Sequence, residues 1–168
     1  MVIADATTLG AMALIGRAHL IPRLVGKVKI TDETAAEIKE FLQARDPSCA
    51  LPEDVAEVVA VDVSYATLST SESETLELGR RIKAKLLLSD DVALRREARK
   101  ERINTMGTVG LLYAARCRVL IPNVEEPLEA LHKAGYTICL RCERALLGRV
   151  SVKSKPSEPG TTIFDFRL

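Results

Sequence analysis

Apolar residues come along this chain in short runs broken by polar or charged ones, and between the runs the apolar positions repeat at helical spacing. Val2–Ala4 and Leu86–Leu88 are bounded runs that predict short buried strands, with 27–30, 57–63 and 103–106 as further strands. The 57–63 segment, EVVAVDV, alternates in the way an edge strand does. Ala11, Leu14 and Ile15 recur at helical spacing, and 19–24 makes a further turn that ends at Gly26. Thr31 caps a helix to about residue 43, closed by Asp46 and Pro47. Ser71 caps another over 72–83, and 91–101, 107–116 and 127–134 predict three more. Strands alternating with helices in this order imply βα units around a largely parallel sheet.

Composition narrows this to one packed domain. The chain has 168 residues, 47% of them apolar, enough to bury a sizeable core. Its 24 basic and 23 acidic side chains leave a net charge of +1, so no global field draws nucleic acid or an anionic membrane, and polyanion binding needs a local patch. The N-terminus carries no basic leader pattern and no apolar run reaches a membrane-spanning length, which leads to the expectation of a cytoplasmic protein that contacts no membrane. In that compartment the four cysteines, Cys49, Cys117, Cys139 and Cys142, read as reduced thiols. From Arg149 onward two proline-containing turns and scattered apolar residues mark off an arm, so the expected division is a domain over 1–148 and an arm over 149–168.

The acidic residues give the chain its chemistry. In open parallel sheets the ligand crevice lies outside the carboxyl ends of the strands. Asp5 follows the first strand and Asp90 with Asp91 follows 86–88, so the acids converge if those strands are neighbours. Glu72 lies in the first turn of the helix leading into the second of them, where the helix dipole favours a carboxylate, and Glu37 lies mid-helix one turn after Glu33. Acids gathered on one rim call for a hard divalent cation, Mg²⁺ or Mn²⁺, held by oxygen ligands. Alone, the Asp90-Asp91 pair reads as a helix cap with a dipole-compensating neighbour; its coincidence with Asp5 and Glu72 turns it toward a site. The interval from Glu72 to Asp90 is eighteen residues (90 minus 72), room for one helix, a turn and a strand returning to the same rim, which favours Asp90 as the inward acid and Asp91 as a residue behind the ligands or the cap of the following helix.

Other motifs are weaker. Arg95, Arg96 and Arg99 form either a solvated face paired with Glu97 and Glu101 or a track for an RNA backbone. Cys139 and Cys142 make a single CxxC without the second pair that a zinc site needs. Gly107-Thr108-Val109-Gly110 looks like a phosphate-cradling turn, although a strand-to-helix turn needs such glycines anyway. His19 and His132 lack an HExxH context, and no GxSxG, P-loop or GxGxxG occurs, which removes the triad-hydrolase, NTPase and dinucleotide readings. A phospho-acceptor receiver would need a lysine after a later strand, where this chain has Gly107 and Thr108.

The segments VIADATTLGAMALIGRAHLIPRLVGKVKITDETAAEI, SESETLELGRRIKAKLLLSDDVALRREARKERI and TMGTVGLLYAARCRVLIPNVEEPLEALHKAGYTI resemble a PIN-domain protein over about residues 2–147. More narrowly they are similar to its VapC-like branch, with a first-strand D-A, a GExE helix start, an LLLxDD strand end and a GTxG turn. The resemblance implies a PIN-like three-layer α/β/α fold with a central, mostly parallel sheet. It also implies a Mg²⁺- or Mn²⁺-dependent endoribonuclease, the toxin of a toxin–antitoxin pair. Asp5, Glu37, Glu72 and Asp90 are then the catalytic acids and, with Asp91, the metal ligands. RNA, an antitoxin protein and a second copy of the chain are the implied partners, and the alternative is an idle PIN-fold module that binds RNA or protein. Three departures stand out: Ser71 replaces the glycine before the helix-start acid, Gly79 replaces a small packing alanine, which by helix propensity weakens that helix by roughly 1 kcal/mol, and Thr7-Thr8 replaces a small or proline residue after the first acid, leaving a hydroxyl to bind metal-bound water or cap the helix.

Overall fold

The structure is a computed structural model describing residues 1–61 and 70–137. The chain forms two units, Met1–Thr108 and Val109–Leu168. In the first, five three-residue strands make one parallel sheet: β1 (Val2–Ala4), β2 (Val28–Ile30), β3 (Ala56–Val58), β4 (Leu86–Leu88) and β5 (Asn104–Met106), in the order β3-β2-β1-β4-β5. The connections carry α1 (Ala6–Leu14), α2 (Leu20–Val25), α3 (Asp32–Arg45), α4 (Thr70–Arg81) and α5 (Val92–Lys100). The chain steps outward from β1 to β3, then returns across the sheet to β4 and β5. Right-handed crossovers put the helices of those two halves on opposite faces, the three-layer α/β/α architecture expected from the sequence. The reversal falls between β1 and β4, where such sheets open a crevice.

Strand register follows from which side chains need burial. Val2, Ile3 and Ala4 stand opposite Leu86, Leu87 and Leu88, and β4 is matched in turn to Asn104, Thr105 and Met106. Ile3 and Leu87 point to one face, where they pack with Leu76 and Leu78 of α4, Leu94 and Ala98 of α5, and Ile103. Each large side chain buried there contributes about 2 kcal/mol. Gly79 sits against this cluster, and a Cβ in its place would press on the Cδ1 atoms of Ile3 and Ile103. The helix-propensity cost of Gly79 is therefore the condition for α4 to approach the sheet closely.

Element boundaries shift for identifiable reasons. α3 runs to Arg45, whose guanidinium lies 4.0 Å from the centroid of the Phe41 ring. Asp91 is the N-cap of α5 and its side chain accepts from Leu94 N–H, so the helix starts one residue later than predicted. The 57–63 strand is shorter, although Val59 N–H still donates to Ile30 O at 2.8 Å. Its last two positions, the Cys139–Cys142 motif and the 149–168 arm lie outside the described residues.

The second unit includes most of α6 (Thr108–Cys117), together with α7 (Glu125–Lys133). The turn after α6 places Val119 at φ +57°, while Leu120 N–H returns to Ala115 O at 2.9 Å to close the helix. A β-branched residue in the left-handed region is strained, and Val119 is 79% exposed, so little packing offsets the strain. Val119→Gly should raise stability by about 1 kcal/mol, seen as a Tm about 2–4 °C higher. An unchanged or lower Tm in thermal unfolding would contradict this account.

Candidate functional site

The register of β1 and β4 determines what meets at the carboxyl edge of the sheet. β1 continues extended through Asp5 (φ −99°, ψ 177°), and beyond β4 Ser89 N–H still donates to Met106 O at 2.9 Å and Asp91 is extended (φ −69°, ψ 125°). Because Ile3 stands opposite Leu87, Asp5 comes level with Ser89. Side chains alternate along extended backbone, so Asp5, Ser89 and Asp91 share the face of Ile3 and Leu87, and Asp90 points the other way.

Asp5 is 6% exposed, and four donors surround its carboxylate. Oδ1 accepts from Thr7 N–H (3.1 Å), Thr7 Oγ1 (2.8 Å) and Thr8 N–H (3.4 Å), so Asp5 is also the N-cap of α1. Oδ2 accepts from the Ser89 hydroxyl. The two hydroxyls are themselves oriented: Thr7 Oγ1 accepts Asp90 N–H and Ser89 Oγ accepts Asp91 N–H, both at 3.0 Å. Their protons are thereby directed at Asp5. Burial pushes the Asp5 carboxyl up to about 6, against the opposing pull of the Ser89, Thr7 and Thr8 hydrogen bonds; the nearby Asp90 charge adds to the rise.

Two helices bring further acids. On α3, Thr34, Ile38 and Leu42 form the buried stripe, and Glu37 flanks it, exposed at the helix surface. On α4, Ser71 and Thr75 share one buried face, and Ser71 Oγ donates to Glu37 Oε2 at 2.9 Å. Thr34 and Thr75 meet through their hydroxyls at 3.4 Å, which ties the starts of α3 and α4 together. A cleft of about 120 Å³ opens between these elements, lined by Asp5, Ala6, Thr7, Glu37, Ser71, Glu72, Thr75, Asp91 and Leu94. Four carboxylates from the β1–α1 turn, α3, α4 and the β4–α5 turn line it, with no basic residue among them.

Asp90, favoured by the eighteen-residue spacing, is not part of this lining. Its carboxylate is held at the β5–α6 turn by Thr108 N–H (3.0 and 3.2 Å), by the Thr108 hydroxyl and by Thr8 Oγ1 (3.2 Å). Asp91 lines the cleft and caps α5 through Leu94 N–H at 2.6 Å. The basic residues of α5 have local partners: Arg95 Nε donates to Thr105 Oγ1 at 3.3 Å, and Arg96 and Lys100 both pair with Glu97. Arg99 lies exposed on the same helix. The sequence reading passed over Ser89 and assigned Ser71 only a capping role. The available signal for Ser89 was a hydroxyl at a strand end immediately before two acids.

The donor set suits a hard divalent cation, since every charged lining group is a carboxylate and hydroxyls stand beside them. The carboxylates are not preassembled: among the described residues no group of three or more His, Cys, Asp or Glu side chains is arranged to hold one ion. Asp5 is held by the Ser89 hydroxyl, Asp91 by Leu94 N–H, and Glu37, on the open surface of α3, by the Ser71 hydroxyl.

An α/β domain whose parallel sheet reverses between β1 and β4, with carboxylates from several elements around a cleft at the reversal, has the form of an acidic-site α/β domain. The chain belongs to the PIN-domain family, whose model matches residues 1–152. That family commonly includes metal-dependent nucleases. No curated protein and no solved structure matches the chain. Among the described residues no helix is long and apolar enough to cross a membrane.

Proposed function

We propose that this chain is a Mg²⁺- or Mn²⁺-dependent endoribonuclease that cleaves RNA phosphodiesters. The observation that carries this reading is the cleft at the sheet reversal, which Asp5, Glu37, Glu72 and Asp91 line with no basic side chain beside them. Those four residues would hold the ion. A divalent cation bound there supplies Lewis acidity to the phosphodiester and lowers the pKa of an attacking water. The chain itself supplies a buried, hydrogen-bonded Asp5 as the fixed point of the site, Asp91 two residues beyond the Ser89 that binds Asp5, and two glutamates from α3 and α4 that line the cleft, Glu37 accepting the Ser71 hydroxyl. The role as toxin of a toxin–antitoxin pair, with an antitoxin protein and a second copy of the chain as partners, rests on the VapC-like motifs.

In the test, single-stranded RNA is incubated with Mn²⁺ and either the wild type or Asp91→Asn. Wild-type cleavage with a loss of at least about 100-fold in the variant is expected for removal of a ligand. Equal rates sink the reading. A second reading, an idle PIN-fold module for RNA or protein, draws on one observation: Asp5 is already fully engaged and no three candidate ligands are prearranged. It predicts retained RNA binding without uptake of Mn²⁺ in calorimetry.

A further inference from the structure

We infer that Asp90 is a positioning residue whose carboxylate locks the β1–α1 and β5–α6 turns onto the end of β4, and that the ligand role falls to its neighbour Asp91. Register places it there: Leu88 stands opposite Met106, so Asp90 comes level with Thr108. The turn after β5 offers an anion cradle, formed by the Thr108 N–H and hydroxyl beside a glycine. The chain fills that cradle with its own carboxylate. Both Asp90 oxygens lie within hydrogen-bond distance of Thr108 N, and Oδ2 also receives the Thr8 and Thr108 hydroxyls.

Gly107 is the second, independent sign. A Cβ at 107 would fall on Asp90 Oδ1, so the glycine of the GTVG turn is required by this carboxylate and the cradle has no room for a phosphate. Asp90 acts on the cleft indirectly. Its N–H orients the Thr7 hydroxyl toward Asp5, and its side chain fixes the backbone from which Asp91 projects. Asparagine can reproduce this arrangement: the amide oxygen accepts Thr108 N–H, and the amide nitrogen donates to hydroxyls that can turn to accept.

The metal readout of the test rests on the proposed function, whereas its thermal readout does not. Gly107→Ala should lower Tm by about 5 °C or more through overpacking, and by clearly less in an Asp90→Ala background, where the obstructing oxygens are gone. In Mn²⁺ calorimetry Asp90→Asn should keep affinity within about threefold. Asp90→Ala should lose about tenfold, as residues behind a ligand do, and Asp91→Asn about 100-fold or more. Additive Tm losses for Asp90→Ala and Gly107→Ala would overturn the inference. So would an Asp90→Asn variant that loses as much Mn²⁺ affinity as Asp91→Asn. A wild type that takes up no Mn²⁺ overturns the metal reading of the cleft, and the thermal cycle then decides the role of Asp90 by itself.

Discussion

Asp5→Asn should abolish Mn²⁺-dependent RNA cleavage and at the same time make the metal-free protein more stable near neutral pH. The sign follows from where the carboxyl ionises. Its pKa is about 6 in the folded chain against 3.8 for an ordinary aspartate. Below the lower value both folded and unfolded states hold the proton and the group is neutral for stability. As pH rises between the two, the unfolded chain releases its proton first, and above about 6 the folded state carries the whole cost of a buried anion, on the order of 3 kcal/mol. Asparagine removes that cost, but its amide gives the Ser89 hydroxyl proton no carboxylate to meet. The net gain should therefore be about 1–2 kcal/mol at neutral pH, vanishing below the unfolded pKa. Denaturant unfolding in a chelator across that range measures it. Mn²⁺ should stabilise the wild type and leave the variant unchanged, because only a group that binds the ion in the folded state is linked to it. A variant that is less stable at neutral pH, or that still cleaves RNA, would break the assignment of Asp5 as a buried anion serving a metal.

Ser89→Ala carries the other large effect. The Ser89 side chain is fully buried, donates to Asp5 Oδ2 and accepts Asp91 N–H. Alanine leaves the buried Asp5 carboxylate and the partly buried Asp91 N–H each short of a partner, for a loss of about 3 kcal/mol near neutral pH. Both acids that Ser89 joins then lose their fixed geometry, and cleavage should fall by about tenfold or more even at temperatures where the variant is folded. Ser89→Thr should restore most of both, since the hydroxyl returns and only a methyl is added. Comparing the three proteins by thermal unfolding and by RNA cleavage separates the two roles. An alanine variant as stable and as active as the wild type would show that the bond is dispensable.

The acidic cleft bears on how the α5 arginines are read. Arg96 and Lys100 are committed to Glu97, and Arg80 of α4 binds Glu101 at 2.6 Å. Exposed pairs of this kind contribute little to stability, so the row serves chiefly to balance charge along α5. Arg95 and Arg99 lie one and two turns along α5 from Asp91.

Much of this molecule was legible in its sequence because the signals are local. The Val2–Ala4 and Leu86–Leu88 runs, the Thr31 cap, the helix stop at Gly26 and the order of strands and helices depend on residues a few positions apart, where hydrophobic period and capping chemistry act. The acids at strand ends were legible for the same reason. Which of two adjacent aspartates faces the cleft was not. Alternation along a strand puts Ser89 and Asp91 on one side and Asp90 on the other, but which side meets Asp5 depends on Ile3 standing opposite Leu87. That register is set by packing Ile3 and Leu87 against α4 and α5, which lie far from Ile3 in the chain. Gly79 and Gly107 likewise looked like propensity costs or turn formers until the Ile3 side chain and the Asp90 carboxylate were found where their Cβ atoms would be. The sequence by itself determined the elements and the set of acids, since both are written in neighbouring residues. Only the tertiary structure decided the partner of each acid, because a one-residue change of register exchanges the two faces of a strand.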